Sequence, residues 1–251
     1  MGIPPCKFRA EKIMEDKIIG RNPVMEAIRS GREIDKILIK KGGYEGSMVQ
    51  LVKKAKSNGI IIQEVDKQKL DSLAEGGNHQ GVIAFSAAHE YVSVEEMLGK
   101  GDGRLIIICD KITDPHNLGS IIRCANCVGA AGVIIPKRNG VGLNSVVAKT
   151  SAGAIEYTPV ARVTNFAQTI EKLKANGYWI AGADMDGESM YSANLTGKLA
   201  LVIGSEGEGI SKLVKEKCDF IVNIPMFGEI NSLNASIAAA VLMYEVVRQN
   251  Q

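Results

Sequence analysis

Residues 199–211 read LALVIGSEGEGIS, residues 212–230 KLVKEKCDFIVNIPMFGEI, and residues 231–249 NSLNASIAAAVLMYEVVRQ. The apolar run Leu199 to Ile203 stops at a cluster holding Gly204, Gly207 and Gly209, the pattern of a buried strand that delivers a glycine turn. A second run, Phe220 to Ile224, ends at Pro225, which has no N–H for a sheet ladder and so marks the strand's end. Asn231 and Ser232 are good helix-entry residues, and the alanine-rich run behind them reads as a helix. Two strand ends and one helix start thus bring polar groups and bare backbone together, where an open α/β sheet holds its ligand.

Working upstream, buried strands alternate with helices: LIIICD, LGSIIRCANCVGA, GVIIP, NSVVAKTSAGA, EYTPVARV, NFAQTIEKLKANG and YWIAGADM. That alternation predicts a mostly parallel sheet covered by helices on both faces. Before it stands a second strand-rich block, residues 18–90, which reads as αβαβαβ. Asn22 is the expected cap of its first helix, with Pro23 in the first turn and Gly31 at the close. The polar, glycine-rich stretch 91–104, with one short helix (SVEEMLGK), is the expected linker, and 105–251 the second domain. Residues 1–17 read as a loose leader.

A chain of 251 residues with 45% hydrophobic and 23% charged content has the composition of an ordinary globular protein with room for a large core. No apolar run is long enough to span a bilayer, and the first residues lack the apolar core of a signal peptide, so a cytoplasmic protein with no membrane partner is expected. Five scattered cysteines fit reduced thiols. Cys124 and Cys127 form a CxxC, but it falls inside a predicted helix without a second CxxC or a nearby His, so helix packing is expected and no metal. Net charge of +2 argues against a strongly basic nucleic-acid arm. The local excess of lysines from Lys36 to Lys56 suits either a phosphate-facing patch or a solvated surface.

The blocks GSEGEG and IPMFGEINSLNASIAAA resemble motifs two and three of the SpoU (TrmH) family of RNA ribose 2'-O-methyltransferases. The first motif of that family needs an Asn and, six residues on, an Arg, and DPHNLGSIIRCANCVGAAGVII supplies Asn117 and Arg123. Three ordered motifs over more than a hundred residues make the resemblance specific. It implies a SPOUT-type α/β domain with a trefoil knot, an exception to the rule that chains are un-knotted. It also implies S-adenosyl-L-methionine as cofactor and a homodimer with each active site completed across the interface. The block 18–90 resembles the L30e-like RNA-binding domain that many rRNA-directed members carry, with the signature HQGV at His79, Gln80, Gly81 and Val82. This plan is most similar to bacterial 23S rRNA guanosine 2'-O-methyltransferases, so 23S rRNA or a ribosome assembly precursor is the expected partner; related rRNA enzymes that modify an adenosine share the plan, and tRNA or another rRNA nucleotide is the alternative target.

Carried onto this chain, the resemblance places Gly204, Ile224 and Leu233 in the cofactor pocket, with Met226 and Gly228 in the same loop. Glycines at 204, 207 and 209 let backbone approach a ligand closely. Arg123 is the expected centre of the chemistry, and two roles stay open: clamping phosphate and ribose, or accepting the 2'-hydroxyl proton, awkward for a guanidinium. Asn117 either caps its helix or holds Arg123 in place. Glu206 could orient Arg123, bond the nucleotide, or simply favour a helix terminus. Ser232 and Asn234 either bond substrate or cap the last helix. Two rivals remain. A dinucleotide-dependent dehydrogenase needs GxGxxG and an acid at the next strand's end, where this chain has Asn223-Ile224-Pro225. A non-catalytic RNA-binding protein would have no need of Asn117, Arg123, Glu206, Ser232 and Asn234 together.

Overall fold

The run Leu105–Cys109 is buried at every residue because neighbouring strands pair with both of its edges and helices cover both of its faces. The structure, a computed structural model, describes residues 17–99 and 103–251. The expected leader therefore lies outside the described residues, save for Lys17. Contacts divide the chain into two compact units between Ala88 and His89.

The first unit runs β1 (Lys17–Ile19), α1 (Arg21–Arg29), β2 (Ile34–Lys40), α2 (Ser47–Ser57), β3 (Ile61–Val65), α3 (Lys67–Ala74) and β4 (Val82–Ser86). Its sheet has the order β1-β4-β2-β3, with β2 and β3 parallel and β4 antiparallel to both its neighbours. Strand alternation sends Ile37, Ile39, Val82 and Ala84 to one core under α1 and α2, and Leu38 and Ile83 to a second under α3. Strand β1 was not foreseen, since three residues are too few for a pattern. The helix-cap expectation at Asn22 is corrected: α1 begins at Arg21 behind Gly20, whose φ of 99° carries β1 straight into the helix. A side chain from a distant loop, Gln80 Oε1, accepts from Arg21 N at 3.1 Å, so no local cap is needed.

The second unit continues with α4 (Val94–Gly99), β5 (Leu105–Cys109), α5 (Pro115–Cys127), β6 (Gly132–Pro136), α6 (Ser145–Thr150) and β7 (Val160–Val163). It closes with α7 (Phe166–Ala175), β8 (Trp179–Ser189), β9 (Leu199–Ile203), α8 (Lys212–Lys215), β10 (Phe220–Asn223) and α9 (Ala235–Gln249). Six strands in the order β10-β8-β9-β5-β6-β7 form an all-parallel sheet. Leu105, Ile107 and Leu201 face α5 and α9, while Ile106, Ile108 and Val202 face α4 and α7. The segment expected as linker belongs to this unit: Val92 bridges Ala161, and Val94 and Met97 of α4 are buried in its core. The helix-entry expectation at Asn231 and Ser232 is also corrected, because α9 starts at Ala235 with Asn234 as its cap. No helix of the described residues is long and apolar enough to cross a membrane.

Candidate active site

A cleft of about 850 Å³ opens at the carboxyl ends of β8, β9 and β10, closed on its far side by the start of α9. Beyond Ile203 the chain turns back on itself: Ser205 N donates to Gly209 O at 3.1 Å and Gly209 N to Ser205 O at 3.0 Å. A Cβ on Gly204 would stand 2.1 Å from the Gly209 carbonyl carbon, so only glycine permits this crossing. Glu206, Gly207 and Glu208 form the loop tip, on the cleft wall. Ile224, Met226 and Leu233 supply the apolar side, and Ser232 lines the cleft near the Asn234 cap.

Strand β8 contributes in a way the sequence reading did not foresee. Its register against β10 jumps from Gly182 opposite Ile221 to Glu188 opposite Val222, so residues 183–187 loop out between two paired stretches. Asn223 Nδ2 closes the excursion by donating to Gly187 O at 2.6 Å and to Met185 O at 3.3 Å. Asp184 and Met185 thereby reach the cleft, with Asp184 ion-paired to Lys215 at 2.9 Å. The available signal was DMDGES, a polar, glycine-containing end to an otherwise apolar strand.

The three motifs meet through hydrogen bonds. Asn117 Nδ2 donates to Glu206 Oε1 at 2.9 Å, and Asn234 Nδ2 donates to Asn117 Oδ1 at 2.9 Å and to Glu206 Oε1 at 2.5 Å. Asn234 Oδ1 meanwhile accepts from Ser236 N at 2.9 Å and Ile237 N at 3.3 Å, capping α9. Asn117 is buried and does not cap α5. Asp114 does, accepting from His116 N at 2.9 Å with Pro115 at the first helical position. Glu206 accordingly orients two amides and does not touch Arg123. Two further residues hold the glycine loop: buried Asp110 accepts from Ser211 N at 2.7 Å, and Lys111 Nζ pairs with Glu208 at 3.1 Å.

Arg123 lies apart. Six residues beyond Asn117 on α5 it occupies another face of the helix, exposed, outside the cleft lining and without an ion pair among the described residues. Gly228 also lies outside the lining, in the exposed loop before α9. Cys124 and Cys127 sit on α5, the first half-buried with its thiol raised by burial and then by its neighbour Cys127. Among the described residues no group of three metal-binding side chains forms.

An all-parallel sheet whose strand ends frame a glycine-turned cleft is an α/β protein that holds its ligand at the carboxyl edge. The model of the SpoU rRNA Methylase family matches residues 104–244, and that for RNA 2'-O ribose methyltransferase substrate binding matches residues 17–92. YacO of Bacillus subtilis, assigned to the TrmH family of tRNA/rRNA methyltransferases, is 48% identical over 240 residues, 93% of this chain and 96% of its own. A Staphylococcus saprophyticus protein of the same assignment is 51% identical over 92% of this chain and 95% of its own. The SpoU methyltransferase AviRb of Streptomyces viridochromogenes, solved with AdoMet, shares the fold at a TM-score of 0.59 and 24% identity, over 93% of this chain and 89% of that one. The chain belongs to the SpoU family. It is an S-adenosylmethionine-dependent RNA 2'-O-methyltransferase.

The cleft suits that cofactor chemically. Its wall joins an apolar side, for an adenine face, to a glycine loop offering bare backbone, and Glu206, which has no ion pair among the described residues, adds a carboxylate suited to a cationic ligand. S-adenosylmethionine, when bound, supplies an electrophilic methyl group on a sulfonium.

Proposed function

We propose that this chain methylates the ribose 2'-hydroxyl of a guanosine in 23S rRNA, as a cytoplasmic homodimer acting on free or assembling ribosomal RNA. Gly204, Gly207, Gly209, Ile224, Met226 and Leu233 hold the cofactor, with Gly228 shaping the loop beside them. Asn117, Glu206 and Asn234 lock the cofactor loop to α5 and α9, and Ser232 faces the substrate side. Arg123 engages the target nucleotide and activates its hydroxyl.

One observation carries the dimer: the residue expected at the chemistry is exposed on a face of α5 outside the cleft of its own chain. A second copy of the chain supplies that arginine to a cleft it does not itself line. Helix α9 offers a surface for the copy, with Ile237 and Tyr244 about half exposed seven positions apart on one face. The leading unit with its substrate-binding match supports an RNA target, and the rRNA methylase model that matches the second unit favours ribosomal RNA.

The test is methyl transfer from labelled S-adenosylmethionine to 23S rRNA, 16S rRNA and tRNA transcripts, with Arg123→Ala as control. The expected product is 2'-O-methylguanosine in 23S rRNA alone, absent with the variant. Label on tRNA alone would replace the target, and a variant as active as the parent would remove Arg123 from the reaction.

A further inference from the structure

A second cleft, of about 820 Å³, lies wholly within the first unit, between the loop after β2 and the loop before β4. Its cations are Arg21, Lys40, Lys41 and Lys67, against two carboxylates, Glu45 and Asp71. Lys40 and Lys67 have no ion-pair partner among the described residues, and Lys41 has only an exposed contact with Asp66 at 3.3 Å. Each rim carries a pair of glycines, Gly42 and Gly43 on one and Gly76 and Gly77 on the other. Gly42 and Gly76 take φ values of 108° and 90°, and a Cβ on either would meet nothing within 4 Å. Such rims admit a ligand against peptide groups.

The second rim is built rather than loose. Buried His79 bridges it, with Nε2 donating to Asp71 Oδ1 at 2.8 Å and Nδ1 accepting from Gly81 N at 2.9 Å. Gln80, held at a φ of 48°, accepts from Arg21 Nε at 3.0 Å through its carbonyl, and Gly81 O accepts from Lys40 N at 2.9 Å. Arg21 and Lys40 are thereby fixed relative to the loop. On the opposite rim Tyr44 is half-buried, its hydroxyl donating to Glu64, and it lines the cleft.

We infer that this cleft takes one unpaired nucleotide of single-stranded RNA, its flanking phosphates on Lys40, Lys67, Lys41 and Arg21 and its base against Tyr44. The inference rests on the RNA substrate proposed above and names where and in what form the first unit holds it. A duplex presents its phosphates on a convex surface and hides its base faces, whereas a concave basic pocket with one aromatic suits a splayed base. The carboxylate of Asp71 inside a basic cleft repels a bare polyanion and pairs with base N–H groups.

The experiment is fluorescence anisotropy of the full chain with a labelled ten-nucleotide RNA, single-stranded or annealed to its complement. Inorganic tripolyphosphate serves as competitor, and S-adenosylmethionine affinity is measured separately by calorimetry. The single strand is expected to bind more tightly than the duplex. Lys40→Ala/Lys67→Ala is expected to weaken it about tenfold or more, and Tyr44→Ala about tenfold, with Tyr44→Phe near the parent because the ring remains. Equal binding of the duplex, unchanged affinity in the lysine variant, displacement by tripolyphosphate as effective as by RNA, or no binding of the oligonucleotide would each overturn the inference. Circular dichroism and thermal unfolding matching the parent show that the first unit is folded, and unchanged cofactor affinity shows that the methyltransferase cleft is intact, so this failure is distinguishable from failure of the proposed activity.

Discussion

Asn234 is asked to do two things with one amide. Its oxygen caps α9 and its nitrogen donates to Glu206 and Asn117, so cap and motif junction share a residue. The roles separate by substitution. Asn234→Ala removes both; losing the cap costs about 1 kcal/mol, a fall in Tm of roughly 2–4 °C for a protein of this size. Asn234→Asp keeps the capping oxygen and gains from the helix dipole, but sets a carboxylate against Glu206. Exposed Glu206 then swings away and the glycine loop loses its tie to α9. Thermal denaturation should find Asn234→Asp near the parent in Tm, while methyl transfer and cofactor affinity fall in both variants. Equal activity in Asn234→Asp would show that the donor arm is dispensable. At this scale the sequence announced the residues but not their partners. Asn117, Glu206 and Asn234 stood out by motif, yet a capping Asn and a bridging Asn look alike until the chain folds. Asp114, three residues before Asn117, was an equally good cap and took the role.

Among the elements, strands β5 and β9 were plain because a parallel strand buried on both faces is a continuous apolar run. The excursion in β8 was not, since it is set by pairing with β10 some forty residues away and by the approach of Gly187 to Ile221, where a Cβ would stand 2.5 Å from the backbone. The end of α9 is another such long-range arrangement. Gln249 Oε1 accepts from Leu195 N at 2.9 Å, and Asn250 Oδ1 from Gly197 N at 2.9 Å, stitching the helix terminus to the segment before β9. Buried Glu245 organises this end, accepting from Arg248 at 2.7 and 2.9 Å and from Gln249 at 2.8 Å. The hydrogen bonds from Arg248 hold its carboxyl below the ordinary value of 4.5, against the opposing effect of burial. A carboxylate with a lowered native pKa stabilises the fold above its unfolded pKa and loses that contribution as pH falls through the native value. The parent should therefore exceed Glu245→Gln in Tm at neutral pH, and the gap should close on acidification below about 4.5. A gap unchanged down to pH 3 would mean that packing, not charge, sets the difference.

For the whole molecule, a net charge of +2 leaves little general attraction for RNA, so affinity must come from where the cations are placed. Lys40 and Lys67 serve that purpose in the first unit, and in the second Arg123 stands on a surface its own cleft does not use. Composition could not reveal this, since the same charges scattered evenly would give the same total. In the proposed dimer the cofactor loop is built within one chain, and the reaction takes a group from its neighbour. Complementation tests that division. Arg123→Ala destroys the donated group and leaves the cleft intact, while Glu206→Ala unties the cleft and leaves Arg123 intact. Each variant alone should be inactive. Co-expressed at equal levels, half of the dimers formed at random pair one variant with the other, and one of the two sites in each then carries both a sound cleft and a sound arginine. Recovery of about a quarter of parental activity is expected, measured as labelled methyl incorporation into RNA per mole of dimer. If co-expression recovers nothing while native mass spectrometry shows the mixed dimer, Arg123 serves the cleft of its own chain and must reach it by a rearrangement of α5.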